Sequence, residues 1–217
     1  MNAAITTSLA DLLAELGGIA PSRLRLSPAP GQATVEDLVR SDEQRRPLCE
    51  LIDNTLVEKA MGFEASVVAL AVSEILRRFT APKKLGLVSG ADGMFRLLPD
   101  TVRGPDVAFI SRSRLPGGVF PGDGFPCIAP DLVVEVLSPG NTKGEMSRKR
   151  IEYFHSGVQL VWIVDCRSRS VAVYTSPSSV TEFTEEQTIT GGAVLPGFEA
   201  NVADFFADLD FGQAASI

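Results

Sequence analysis

The sequence predicts a mixed α/β sandwich around one sheet, and three observations carry that expectation. The stretch DLVVEVLSPG, residues 131–140, is apolar on both faces when laid out as a strand, which is the pattern of a central, buried strand. Segments 63–79 and 142–157 repeat apolar residues at helical spacing. Between and after them lie short β-prone runs punctuated by Gly, Pro and Asp. The resulting order is helix, three strands, long loop, buried strand, helix, buried strand.

Taken in order, MNAAITTSLADLLAELGG reads as a short amphipathic helix with Leu9, Leu12, Leu13 and Leu16 on one face. Residues 19–34 hold three prolines and Gly31 and read as a linker, so residues 1–33 form an N-terminal extension and the main domain spans 34–217. TVEDLVRSDEQ is expected to be a helix capped by Thr34. CELIDNTLVEKA follows as a hairpin with Asp53 and Asn54 at its turn. In FEASVVALAVSEILRRF, Phe63, Val67, Leu70, Ala71 and Ile75 share a helical face, with Arg77 and Arg78 at the C-terminal end. LGLVSG, GMFRLL and DVAFIS read as a meander, and a Gly- and Pro-rich loop covers 113–130. Thr142-x-x-Glu145 has capping-box spacing and Gly157 closes the helix it opens. VQLVWIVD is a second buried strand that pairs with SVAVYTS across CRSR, and the chain closes with LPGF and an amphipathic VADFFADL.

With 217 residues, 45% of them hydrophobic and 22% charged, the chain has the composition of an ordinary globular domain. No apolar run approaches the roughly 18 residues of a membrane helix, and a cytoplasmic location is expected. Cys49, Cys127 and Cys166 are widely spaced, against both a disulfide framework and a zinc ribbon. The net charge of −7 repels polyanions overall. Lys143, Arg148, Lys149 and Arg150, with Arg112 and Arg114 on the preceding loop, nevertheless group as a local basic patch.

His155 is the single histidine, so zinc and di-iron sites that need two histidines are excluded, and periodicity puts it on the solvent side of its helix. No GxSxG elbow and no phosphate-cradling glycine motif is present. Carboxylates remain. Glu135 interrupts the buried strand, and a buried carboxylate needs a partner, either a metal ion or a basic side chain. Asp106 opens the strand DVAFI, as a strand-start residue or as a second metal ligand. Two carboxylates on adjoining strands suit a hard divalent cation such as Mg²⁺ or Mn²⁺. On the following helix Met146, Ile151, Tyr153 and Phe154 mark an apolar arc, with Arg150 near its middle and Lys149 at its edge, so either could be the site's cation, or both part of a solvated basic face. Tyr153 and Trp162 read as core.

The runs RGPDVAFIS, APDLVVEVLSPGN, RKRIEYFHSGVQLVWIVD and LPGF together resemble the Uma-type restriction-endonuclease family within the PD-(D/E)xK nuclease superfamily, over roughly residues 34–206. The resemblance implies a restriction-endonuclease-like core: a mixed β-sheet flanked by helices, here with an N-terminal helical extension. It makes Asp106 the motif aspartate and Glu135 the motif glutamate. The superfamily's lysine would stand at position 137, where this chain has leucine, and Lys149 on the next helix is the matching position, with Arg150 second. Glu64 stands where many relatives carry histidine and is an accessory candidate. The implied chemistry is Mg²⁺-dependent endonucleolytic hydrolysis of DNA by a homodimer, with Asp106, Glu135 and the Val136 carbonyl holding the metal and Lys149 assisting the attacking water. A nuclease-fold binding or regulatory module without catalysis is the alternative. Replacing either acid is expected to end cleavage with little loss of fold.

Overall fold

The computed structural model describes residues 8–43, 47–119, 122 and 124–211. Its helices are α1 (Leu9–Glu15), α2 (Val35–Glu43), α3 (Phe63–Thr80) and α4 (Lys143–Ser156). The strands are β1 (Cys49–Ile52), β2 (Thr55–Glu58), β3 (Gly86–Ser89), β4 (Phe95–Leu98), β5 (Thr101–Arg103), β6 (Val107–Ser111), β7 (Leu132–Val136), β8 (Leu160–Asp165), β9 (Ser170–Tyr174), β10 (Val180–Thr184), β11 (Thr188–Gly191) and β12 (Leu195–Asn201). Residues 1–7 of the first expected helical segment, the expected end of α2 at Gln44, and residues 120, 121 and 123 of the long loop lie outside the described residues.

Six strands form the main sheet in the order β10-β9-β8-β7-β6-β3. β7 and β8 run parallel and the other pairs antiparallel, so the sheet is mixed as expected. β7 is central and buried at every position. On one face Leu132, Val134 and Val136 join Val68, Val72 and Leu76 of α3 in a single core, which also takes in Trp162. On the other, Val133 packs with Tyr153 of α4, Val158 and Val161. The α4 cap uses half of the expected device: Thr142 Oγ1 accepts from Glu145 N at 3.0 Å, but the Glu145 carboxylate turns to Arg23 instead of the cap. Gly157 ends the helix at φ 102, a conformation that a side chain would strain.

The expected meander is corrected. β3 lies beside β6, whereas β4 leaves for a second, four-stranded antiparallel sheet ordered β2-β1-β5-β4. Its β1–β2 hairpin turns at Asp53 and Asn54, both at positive φ (46° and 55°), as a two-residue turn requires. α4 has β7 on one side and this sheet on the other, because Lys149 reaches both Glu135 of β7 and Glu50 of β1. A helix enclosed in this way buries Glu145, Met146, Lys149, Glu152 and Tyr153, so that of the apolar arc read from periodicity Met146, Tyr153 and Phe154 pack inward and Ile151 alone is exposed.

The buried face of α3 also differs from the expected one. It consists of Ala65, Val68, Ala69, Val72, Leu76 and Thr80, while Phe63 and Leu70 stand out in solvent. Glu64, Ser66, Glu74, Arg77 and Arg78 all project from the opposite half of this helix, so the face turned to the sheet is the one free of charged residues. Residues 19–34 are no free linker. Ile19 and Leu24 pack with Leu16, Ile52 and Val57, and Arg23 is buried against Glu145. At the C-terminal end β10, β11 and β12 extend the expected LPGF segment, and VADFFADL forms two 3₁₀ turns that bury Val202, Phe205 and Phe206, with Phe205 stacked on Trp162. Among the described residues no helix is long and apolar enough to cross a membrane.

Candidate active site

Asp106 immediately precedes β6 and Glu135 is the penultimate residue of β7, and the antiparallel register that pairs Val107 with Val134 sets the two acids side by side. Asp106 Oδ2 accepts from Val136 N at 2.7 Å, so the Val136 backbone is fastened to the first acid. Asp106 Oδ1 lies 2.8 Å from Lys59 Nζ, whose side chain is almost fully buried. Both face a cavity of about 250 Å³ that Ser138, Gly62 and Met61 also line.

Behind this cavity lies a buried charge network. Lys149 Nζ donates to both Glu135 oxygens at 3.1 Å and stands 3.2 Å from Glu50 Oε1. The Tyr153 hydroxyl donates a short hydrogen bond to Glu135 Oε1. Arg103 binds Glu50 at 2.8 Å and Glu152 at 2.7 Å, and Gly104 N donates to Glu50 at 3.1 Å. Arg148 links Glu152 onward to Asp53, at 2.7 and 2.6 Å. The buried members alternate in sign, so no charge stands alone in the interior.

Burial pushes the Glu135 carboxyl up from its ordinary value, Lys149 opposes this, and the charge of Asp106 adds to the rise. For Lys149, burial alone would lower the pKa, but Glu135 and Glu50 outweigh it and the ammonium is held charged. Tyr153 is raised by burial and by Glu135, so it stays a phenol and can donate. Glu50 is the opposite case: burial would raise it, yet Lys149 and Arg103 dominate and bring it from 4.5 to about 2. Glu50 therefore adds stability that is complete above pH 4.5 and is lost as pH falls through about 2. The loss is on the order of 3 kcal/mol. Glu135 has the contrary slope, so the expected result is read from Glu50→Gln: the wild-type advantage in urea unfolding shrinks steadily between pH 4.5 and 2. A constant advantage across that range would remove Glu50 from the ionised network.

Sequence reasoning singled out Asp106, Glu135, Val136 and Lys149, and the structure brings these four together. Arg150 lies elsewhere, its guanidinium 4.5 Å over the Tyr174 ring and within 3.3 Å of Ser147 Oγ. Lys149, not Arg150, is the partner of Glu135. Glu64 is exposed at the start of α3 and lines a neighbouring cavity with Arg150, Asp165 and Cys166, which meets the first at Ser138. His155 is exposed and Trp162 is core, as expected, but Tyr153 does more than fill core, since its hydroxyl holds Glu135. The local basic patch is taken apart: Arg148 and Lys149 enter the network and Arg114 binds Asp131 at 2.8 Å. Burial of Glu135 also corrects the expectation of little loss of fold, because removing it would leave Lys149 and Tyr153 short of a partner.

Glu50, Lys59 and Arg103 were missed. For Glu50 a signal was present, since CELI is an apolar strand interrupted by one acid, as the strand around Glu135 is. Lys59 and Arg103 sit at strand ends, where a basic residue is unremarkable.

A mixed sheet between two helices, with paired carboxylates and a buried lysine at the edge of its central strands, defines an α/β domain of the expected class. The chain belongs to the Uma2 family, described as "Putative restriction endonuclease", whose model matches residues 35–203. Five solved chains match it in structure. One is the crystal structure of "a putative nuclease belonging to DUF820 from Anabaena variabilis", with a TM-score of 0.70 and 19% identity, covering 80% of this chain and 97% of that one. At that identity the likeness is one of fold. No curated protein matches.

The family implies a divalent metal, and the donors fit one in kind. Asp106 and Glu135 offer hard carboxylate oxygens, Asp106 opens on the cavity, and a cation would offset both the burial that chiefly raises Glu135 and the Asp106 charge that adds to it. Among the described residues no third His, Cys, Asp or Glu completes a cluster, so backbone oxygen and solvent would fill the shell.

Proposed function

We propose that the protein is a Mg²⁺- or Mn²⁺-dependent endonuclease that hydrolyses DNA phosphodiester bonds. The observation that carries this reading is the pair of adjoining carboxylates, Asp106 at a cavity and Glu135 behind it, with a lysine on each. Asp106, Glu135 and the Val136 carbonyl would hold the metal. When bound, it polarises the phosphodiester and lowers the pKa of the attacking water. Lys149 opposes the upward shift of the Glu135 carboxyl and orients it, and the Tyr153 hydroxyl fixes the rotamer from the other side. Lys59 is the cation on the cavity and, with Asp106 engaged by a metal, would be free to meet the phosphate oxygens. With Lys149 enclosed, its charge acts on the developing negative charge across Glu135 and not by direct contact.

In the test, single- and double-stranded DNA are incubated at low salt with Mg²⁺ or Mn²⁺ and wild type is compared with Asp106→Ala. The variant and an EDTA control are expected to lose cleavage by at least about 100-fold. Asp106 is partly exposed, and its loss leaves Lys59 and the Val136 amide without their acceptor beside a cavity that water can enter, so the fold is expected to survive. A variant that cuts like wild type would sink the assignment. The second reading, a binding or regulatory module on this fold, is favoured by the lysines that already neutralise both acids. Absence of cleavage together with a Mn²⁺-induced rise in Tm would favour it. The resemblance carries the homodimer, checked by light scattering, and the three free thiols support a reducing, cytoplasmic setting.

A further inference from the structure

The cavity at Asp106 does not end there. A second cavity shares Leu70, Ser73 and Gly90 with it, and a third shares Arg77, Ala81 and Val88 with the second. The three form one trench between α3 and the β3 edge of the main sheet, along a helix of 18 residues. That helix is about 27 Å long, or roughly eight base-pair rises of B-form DNA.

Charge changes sign along the trench. Asp92 and Asp106 line the near end. In the middle the one acid, Glu74, is paired with Arg78. The far end gathers Arg77, Lys84 and Arg112 with no carboxylate in its lining. All three are exposed, and no ion pair or side-chain hydrogen bond engages any of them among the described residues. They come from three places: α3, the turn after it, and the 3₁₀ turn that follows β6. The carbonyl end of α3 accounts for Arg77 and Lys84 but not for Arg112, which arrives from the other wall. In a chain of net charge −7 with 27 acidic residues, three convergent cations without a counter-ion repel one another unless an anion joins them.

We infer that this trench is the path of a nucleic-acid strand, with Arg77, Lys84 and Arg112 gripping backbone phosphates at its far end while the Asp106 end holds the phosphodiester to be cut. The inference rests on the nuclease reading for its substrate. It also accounts for nucleic-acid binding by an acidic protein, since the far end of the groove gathers three cations and no carboxylate. Met61 and Leu70, both largely exposed on the near wall, offer apolar contact to sugars or bases.

The test measures binding without metal, so that failure of the catalytic reading does not blur it. Fluorescence anisotropy of a labelled DNA duplex is followed in EDTA over a salt series for three proteins: wild type, Arg77→Gln/Lys84→Gln/Arg112→Gln, and the control Arg40→Gln/Lys143→Gln/Arg167→Gln. The control has the same charge change at exposed positions outside the trench. The trench variant is expected to bind about 10- to 100-fold more weakly, with the salt slope reduced by about 3. The control is expected to stay within about threefold of wild type. Thermal melts verify that both variants fold. Wild-type affinity in the trench variant, an equal loss in the control, or no binding by wild type would each overturn the inference. Loss of Mg²⁺-dependent cutting in Asp106→Ala tests the nuclease reading separately.

Discussion

Glu135→Gln is expected to abolish metal-dependent cleavage in a folded protein, whereas Glu135→Ala is expected to lose cleavage and much of its stability together. The glutamine still offers an oxygen to the Tyr153 hydroxyl and the Lys149 ammonium, but not the negative charge a metal requires. Alanine removes the acceptor as well. Lys149 then stays buried with only Glu50 beside it, and breaking one member of a buried pair costs about 3–5 kcal/mol. Urea unfolding and DNA cleavage measured on both variants separate the two effects. Retained cleavage in a folded Glu135→Gln would remove the carboxylate from catalysis. An unaltered urea midpoint in Glu135→Ala would mean the Lys149 pair contributes nothing to the fold.

The second large effect is expected at Arg103, which is 1% exposed and bridges Glu50 to Glu152. It also ties β5 of the small sheet to α4, so two layers of the molecule meet on one guanidinium. Arg103→Ala leaves Glu50 leaning on Lys149 and Gly104 N alone, and the expected cost is about 3–5 kcal/mol, a drop in Tm of about 10 °C or more. In the double variant Glu50→Leu/Arg103→Met the expected cost is well below the sum of the single ones, because apolar groups replace both halves of the pair. Additive costs would show that the two residues act independently. A drop below about 1 kcal/mol for Arg103→Ala alone would show that the network is solvated in solution.

Much of this architecture could be read locally. Two-faced apolarity marked β7 and β8 as central strands, Thr142 and Gly157 bounded α4, and Asp53-Asn54 marked the hairpin. These signals rest on rules that act within a few residues. On α3 the spacing of Phe63, Leu70 and Ile75 misled, because Glu64, Ser66, Glu74, Arg77 and Arg78 share the half of the helix that carries Phe63 and Leu70, and the other half, with Val68, Val72 and Leu76, packs on the sheet. α4 misled for a related reason. Periodicity assumes that apolar residues point inward, but between two sheets this helix turns Lys149 and Glu152 inward to meet acids and bases from distant strands.

The candidate site divides along the same line. From the sequence alone Glu135 was marked as a buried acid that needs a partner, with Asp106 beside it, because one charge inside a two-faced apolar strand cannot go unpaired whatever the rest of the chain does. Which cation meets it could be decided only by tertiary structure. Lys149 and Arg150 are neighbours in sequence, yet they point about 100° apart around a helix, and the enclosure of α4 between β7 and β1 puts Lys149 on Glu135 and Arg150 on Tyr174. Glu50 and Arg103 lie 85 and 32 residues before Glu135, and no local rule relates them to it. Only closure of the second sheet brings them within ion-pair distance of the same lysine and helix, where desolvation makes their mutual pairing decisive.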